Sequence, residues 1–194
     1  MLPYRLMRRI ALLCCFLPFL AYGQSFQRNE FTFSGGYGWQ TGVQGGSPRL
    51  SAVTLGGTYS FRPRRWLALE GGALTAINPT GVINSAFGYF DIRDRFTWAG
   101  FGVRFILPLR RDRFELSAGG GGVYERYSGG NETPAGYGFS YNGWGGYFKA
   151  EAAVALDPGR HFWLGATPRW ILANGLEGER DRWFVLTGDI SFHF

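Results

Sequence analysis

The side chains able to do acid–base, nucleophilic or metal chemistry are few and badly spaced for it. His161 and His193 are the two histidines. Their neighbours, Phe162 and Trp163 for one and Phe194 for the other, offer no nucleophile. Hydrolysis by a serine or cysteine needs such a base within hydrogen-bond reach of the attacking group. The two cysteines, Cys14 and Cys15, lie in an N-terminal stretch with the marks of a removable leader. Two histidines without thiolates are a poor zinc set, and residues 24–194 have no disulfide open to them. Gly119-Gly120-Gly121-Gly122 has the glycine content of a phosphate-cradling loop, but neither Lys-Ser/Thr nor a helical pattern follows it. The sequence therefore predicts no catalytic residue, no metal and no cofactor. It reads the glycine run as strand that bends and lets large neighbours pack across it.

The charged residues carry a different signal. Glu70, Arg104, Glu115, Glu125, Lys149, Glu151, Arg169 and Asp189 all fall at positions of opposite parity to the apolar residues around them. A period of two is the mark of a strand with two unlike faces. It is plainest in residues 184–194, where Leu186, Gly188, Ile190, Phe192 and Phe194 share one face. Seven further segments repeat it: 30–39, 50–61, 66–77, 96–106, 114–127, 144–156 and 161–172. Each is long enough to cross an apolar layer, which takes roughly 9–11 residues of tilted strand. Pro168 removes a ladder hydrogen bond from the seventh of the eight, so a bulge is expected there, with a shift in the facing of Arg169 and beyond.

The connections alternate in length. Segments 62–65, 107–113 and 157–160 are short, and 40–49, 78–95, 128–143 and 173–182 are longer. An even number of up-and-down strands then puts both chain ends beside the short turns. At the start of the chain, Arg5, Arg8 and Arg9 precede an apolar stretch over 10–20, broken by Pro18 and followed by Ala21-Tyr22-Gly23. This is the pattern of a signal peptide cleaved before Gln24; it is too short for a spanning helix, which needs roughly 20 residues. The expected organisation is a signal peptide over 1–23 and one β-domain over 24–194. The formal net charge is +6, and the leader's arginines supply half of it, too little to argue for nucleic acid. Every basic residue but Lys149 is arginine, so anion contacts would be planar and bidentate. With 31 glycines, 18% aromatics and no long apolar run after the leader, the composition suits a curved, closed sheet.

The motifs Phe33-Ser34-Gly35-Gly36-Tyr37, Arg65-Trp66-Leu67-Ala68-Leu69-Glu70-Gly71-Gly72, Ser117-Ala118-Gly119-Gly120-Gly121-Gly122 and Ile190-Ser191-Phe192-His193-Phe194 resemble the bacterial outer-membrane β-barrel domain family, the small OmpA/OmpX-like barrels. The resemblance covers nearly all of residues 24–194. It implies an all-β protein: an eight-stranded antiparallel up-and-down transmembrane β-barrel in the outer membrane, with periplasmic termini. It implies a monomer in contact with outer-membrane lipids, lipopolysaccharide among them, assembled by the barrel assembly machinery through the C-terminal strand. The family is functionally mixed, so no ligand follows. The expected role is non-catalytic, structural or surface-interacting. The alternatives are a narrow channel for small solutes and a lipid A-modifying barrel enzyme, and the latter would want a His-x-Ser pair that this sequence lacks.

An eight-stranded interior is just wide enough for side chains to fill, and charges enclosed there must pair. Lys149, Glu151, Arg169 and Asp189 are expected to form one mutually paired group, either a plug or a gate. Arg93, Arg95, Arg180 and Arg182 flank the second and fourth long connections. They are expected to meet lipid phosphates, or else to pair with Asp91, Asp94, Glu177, Glu179 and Asp181. Two aromatic girdles are expected at the membrane interfaces. One holds Trp39, Tyr124, Tyr127, Trp144, Trp170 and Trp183. The other holds Phe61, Trp66, Phe105, Phe114, Phe162, Phe192 and Phe194, with Trp66 and Trp183 as alternative lumen caps.

Overall fold

The computed structural model describes residues 26–42, 50–80, 82–85, 88–109, 112–131, 138–174 and 180–194. The leader expected over 1–23 lies outside them, as do the side chains of Arg93 and Arg180. The strands are β1 (Asn29–Gly42), β2 (Ser51–Arg64), β3 (Leu67–Thr80), β4 (Val82–Ser85), β5 (Gly88–Leu109), β6 (Phe114–Asn131), β7 (Gly138–Ala155), β8 (Phe162–Asn174) and β9 (Arg180–His193). Eight of these close a ring in the order β1-β2-β3-β5-β6-β7-β8-β9, all neighbours antiparallel. Closure is made by β1 on β9, from Glu30↔His193 to Gly42↔Arg182. The eight segments read from alternation are the eight wall strands. The addition is β4, which folds back on the start of β5 (Val82↔Asp91 to Ser85↔Gly88) as a hairpin.

Several strands run past their greasy stretch. β5 begins at Gly88 and β7 at Gly138, before the positions that alternation marks, and β2 continues through Arg64. Ladder hydrogen bonds need only backbone, so pairing continues where the sequence no longer alternates. Pro168 does less than expected. β8 keeps one register against β9 (Thr167↔Thr187, Pro168↔Leu186, Arg169↔Val185). Against β7 the pairing resumes in the same register on either side, Lys149↔Arg169 and Ala152↔Ala166. There is a gap in the ladder and no bulge, so Arg169 still faces inward.

The two faces separate by chemistry. Outward positions carry Phe33, Leu55, Phe101, Trp144, Phe148, Leu164 and Ile190, all exposed on the barrel wall. An aromatic row passes around the wall near one end: Tyr37 on Trp39, Trp39 on Phe184, Phe184 on Trp170 and Trp170 on Phe148, with centroids 4.6–5.9 Å apart. Two residues of the girdle set turn inward, Trp183 as the alternative lumen reading allows and Tyr127 against expectation. Trp183 is buried in the lumen and Tyr127 packs against the same inner cluster. The parity of β9 and β6 requires this, since Trp183 and Tyr127 lie an even number of residues from the inward Val185 and Val123.

Candidate functional site

The lumen holds two tiers. Toward the end carrying the longer connections, Phe96, Trp98, Trp183, Val185, Ile171, Val123, Leu74, Ala76 and Ala52 form a closed apolar cluster. Trp183 lies against Trp98 at 5.3 Å and Phe96 at 4.9 Å between ring centroids. The second tier, toward the short turns, is ionic.

Arg104, on β5, is the hub of the ionic tier. Its Nη2 donates to Glu30 Oε2 at 2.5 Å and its Nη1 to Glu151 Oε2 at 2.5 Å. Its Nε lies 3.5 Å from Glu70 Oε2. Lys149 Nζ approaches the same Glu70 oxygen at 2.8 Å and lies 3.9 Å from Glu151. On the turn side, Arg62 donates from Nε and Nη2 to Glu30 Oε2 at 3.0 and 2.6 Å. It also holds Glu115 with two parallel bonds of 3.0 and 2.9 Å. Hydroxyls satisfy remaining lone pairs: Thr32 donates to Glu30 Oε1 at 3.1 Å, and Tyr147 to Glu70 Oε1 at 2.9 Å. Tyr147 reaches the carboxylate because glycines stand opposite it. A Cβ on Gly100 would come within 3.2 Å of its ring, and one on Gly102 within 2.6 Å of its hydroxyl.

Four carboxylates (Glu30, Glu70, Glu115, Glu151) thus meet three bonded cations (Arg62, Arg104, Lys149) among the described residues. Arg169 supplies the fourth charge. It sits opposite Lys149 in the β7–β8 pairing and lines a 40 Å³ cavity with Glu70, Tyr147 and Trp98. Glu30, Arg62, Arg104, Glu70, Lys149 and Glu151 are all buried. Charges withdrawn from water are tolerable because each meets an opposite one and the sum is near zero.

Of the residues expected to share the lumen, Glu70, Arg104, Glu115, Lys149 and Glu151 come together. The expected Lys149–Glu151–Arg169–Asp189 group does not form as such. Asp189 pairs across to Gly165, four residues along β8 from Arg169, which puts the two charges too far apart to bond. Asp189 instead accepts from Thr167 at 2.5 Å and Thr187 at 3.0 Å. Glu125 belongs to the apolar tier and accepts from Trp98 Nε1 at 2.5 Å. Sequence reading missed Glu30 and Arg62, the latter because Arg62-Pro63-Arg64-Arg65 reads as a turn. Continuing the parity of Thr54, Thr58 and Ser60 for two more residues would have placed Arg62 inward.

At the rim, Arg95 and Arg182 point outward and are exposed. The acid expected beside Arg182, Asp181, accepts from Gln40 at 3.1 Å and from Tyr141. Asp91, Asp94, Glu177 and Glu179 have side chains outside the described residues. A third outward, exposed arginine went unnoticed in the sequence. Arg126 on β6 lies opposite Thr97, beside the Arg95↔Ser128 pair. Of the histidines, His161 meets Asp157 at 3.2 Å, and His193 stacks on Trp163 at 5.0 Å between ring centroids.

No protein-family model matches the chain, and no curated protein does. Solved structures match it in shape with little identity in sequence. Neisserial surface protein A (NspA) superposes with a TM-score of 0.64 at 9% identity, over 86% of this chain and 97% of its own. OprG from Pseudomonas aeruginosa gives 0.58 at 13%, over 88% and 98%. The N-terminal β-barrel domain of Pseudomonas aeruginosa OprF gives 0.55 at 10%, over 87% and 100%. The chain has the fold of the small eight-stranded outer-membrane β-barrels.

Proposed function

We propose that this chain is a non-catalytic outer-membrane barrel whose role is structural or surface-interacting, with a lumen that passes no solute. One observation carries the reading: the interior is filled in two successive tiers, ionic and aromatic, while the outer wall is apolar. A buried network with its charges matched fixes strand register and closure, which is what a scaffold needs. Location in the outer membrane is supported by the fold and by the outward aromatic row, which suits an interface with lipid headgroups. The start of β1 and the end of β9 lie with the short turns at one end of the barrel, which supports a periplasmic position for both termini. Delivery through the C-terminal strand to the barrel assembly machinery belongs to the same reading. The test is electrical. Protein reconstituted in a planar bilayer should give no steps above the baseline of the empty membrane. Reproducible single-channel steps in the wild type would instead establish the narrow channel.

The same reading includes contact with lipopolysaccharide phosphates. Arg95 and Arg126 stand on adjacent strands and make no ion pair with a described residue. Both lie just beyond the outward Tyr124–Trp144 pair, whose rings are 5.0 Å apart. Guanidinium groups at headgroup height bind phosphate bidentately. Replacing both arginines by glutamine should reduce lipopolysaccharide retained in native mass spectra while leaving phosphatidylethanolamine retention unchanged. Equal loss of both lipids, or of neither, counts against a phosphate site.

A further inference from the structure

The end of the barrel ringed by the short turns encloses a cavity of about 270 Å³. That exceeds the roughly 150 Å³ that takes a benzene ring. Its lining is polar and basic. The inner end is Arg62, whose guanidinium is committed to Glu30 and Glu115. The wall carries Arg65, Arg113 and Arg160 against a single wall aspartate, Asp112. Asp112 Oδ2 is shared, 3.1 Å from Arg160 Nη1 and 3.9 Å from Arg65 Nη1. Arg113 makes no ion pair with a described residue. The wall therefore holds more guanidinium than its own acid can occupy.

A second observation falls on the same residues. Asp112 and Arg160 are the two non-glycine residues with positive φ among those described, each at 61°. Left-handed backbone favours glycine, and other residues hold it at a cost. Arg160 closes the turn begun by Asp157-Pro158-Gly159, with its N–H donating to the Asp157 carbonyl at 3.1 Å. A glycine would close that turn more cheaply. The chain places an arginine there and turns its side chain over the cavity.

We propose that this mouth binds a small, water-soluble anion bearing phosphate or carboxylate, with Arg65, Arg113 and Arg160 as its donors. Guanidinium forks match both groups with paired hydrogen bonds. The inner end is sealed by the Arg62 contacts, so ligand enters and leaves by the same opening. That opening is narrowed by the N-terminal segment. Gln27 Nε2 donates to the Gly159 carbonyl at 3.2 Å, and Phe26 lies 5.9 Å from the Arg65 guanidinium. A compact solute fits such an entrance better than a lipid, whose acyl chains would have to stay in the apolar belt.

The test is calorimetric titration of the folded protein in non-ionic detergent at low salt, with citrate, with glycerol phosphate, and with glycerol as the uncharged control. Both anions should bind at one per barrel, weaken as salt is added, and leave glycerol without signal. Arg160→Gly is the decisive variant. It gives the turn the residue its φ favours, so the unfolding temperature should hold or rise, while affinity for both anions falls about tenfold. Arg113→Gln should weaken binding to a similar degree without touching a strained position. Absence of binding by both anions overturns the proposal, as does an affinity unchanged in both variants. Binding confined to vesicles containing phosphatidylglycerol overturns it too, since that would assign these arginines to a lipid surface.

Discussion

Arg62 holds Glu115 through both terminal nitrogens, at 3.0 and 2.9 Å, while the same guanidinium reaches Glu30 at 2.6 Å. One buried cation thereby ties β2 to β1 and to β6. Arg62→Ala strands Glu115, leaves Glu30 to Arg104 alone, and should destabilise the barrel by about 3–5 kcal/mol. Pairing Arg62→Met with Glu115→Leu should recover much of that, because Glu30 keeps Arg104. Urea unfolding in phospholipid vesicles measures both. A single variant within about 1 kcal/mol of wild type would mean the network behaves as a solvated surface group.

Tyr147 and the glycines facing it form a second test. Tyr147→Phe removes the bond to Glu70 and should cost roughly 1.5–3 kcal/mol, the usual range for a hydrogen bond to a charged group. Gly102→Ala should cost about 1–3 kcal/mol by overpacking, since its Cβ would meet the Gly120 carbonyl oxygen at 2.4 Å as well as the Tyr147 hydroxyl at 2.6 Å. Gly122→Ala is the control. Its Cβ would meet only the ring of Phe101 at 3.3 Å, an exposed side chain free to move, so its unfolding midpoint should stay near wild type.

The two tiers predict how conductance appears. Arg104→Ala alone should leave the bilayer silent, because the Trp98–Trp183 cluster still closes the lumen. Trp183→Ala alone should leave the ionic tier in place. Only the combined variant should give single-channel steps. Steps from Arg104→Ala by itself would show that the ionic tier is the sole barrier.

Asp157 gives a pH prediction outside the membrane. Burial works to raise its carboxyl, but the Phe162 N–H donating at 2.8 Å and the His161 side chain outweigh this and hold it below the ordinary aspartate range. The folded state therefore binds the proton less readily than the unfolded chain. The contribution is present above the unfolded value of about 3.9, and is lost as pH falls through the lower folded value. NMR titration of the Asp157 carboxyl should find a midpoint below that of an unstructured aspartate. A midpoint at or above it contradicts the turn geometry.

The strands were legible because an apolar outer wall around a polar interior imposes period two on every strand. Leu55, Phe101, Phe148 and Ile190 announce their faces locally. What was not legible depends on pairing between strands. Arg169 and Asp189 share a face of the lumen, but only the register of β8 against β9 separates them. Arg62 looked like a turn residue because Pro63 and two arginines follow it, and the ladder of β2 simply runs on. The β4 hairpin left no mark, since pairing beyond the apolar zone needs no greasy face. Trp183 was open to two readings: its type suits the interface, and its parity selects the alternative place in the lumen.

The carboxylates of the ionic tier come from β1, β3, β6 and β7, and its bonded cations from β2, β5 and β7. No run of adjacent strands up to β6 is complete by itself. A sheet of β1 to β5 would present Arg62 and Arg104 against Glu30 and Glu70, with Glu115, Glu151 and Lys149 missing and both edges unpaired. The bonds that neutralise these charges join strands that are not neighbours, Arg104 on β5 with Glu30 on β1 and Arg62 on β2 with Glu115 on β6, so they form only as the sheet curls closed. Entry into the membrane should then be concerted, with the open sheet held at the water boundary until the last strand docks. Partially inserted forms would be repelled by the same hydrocarbon that stabilises the finished wall.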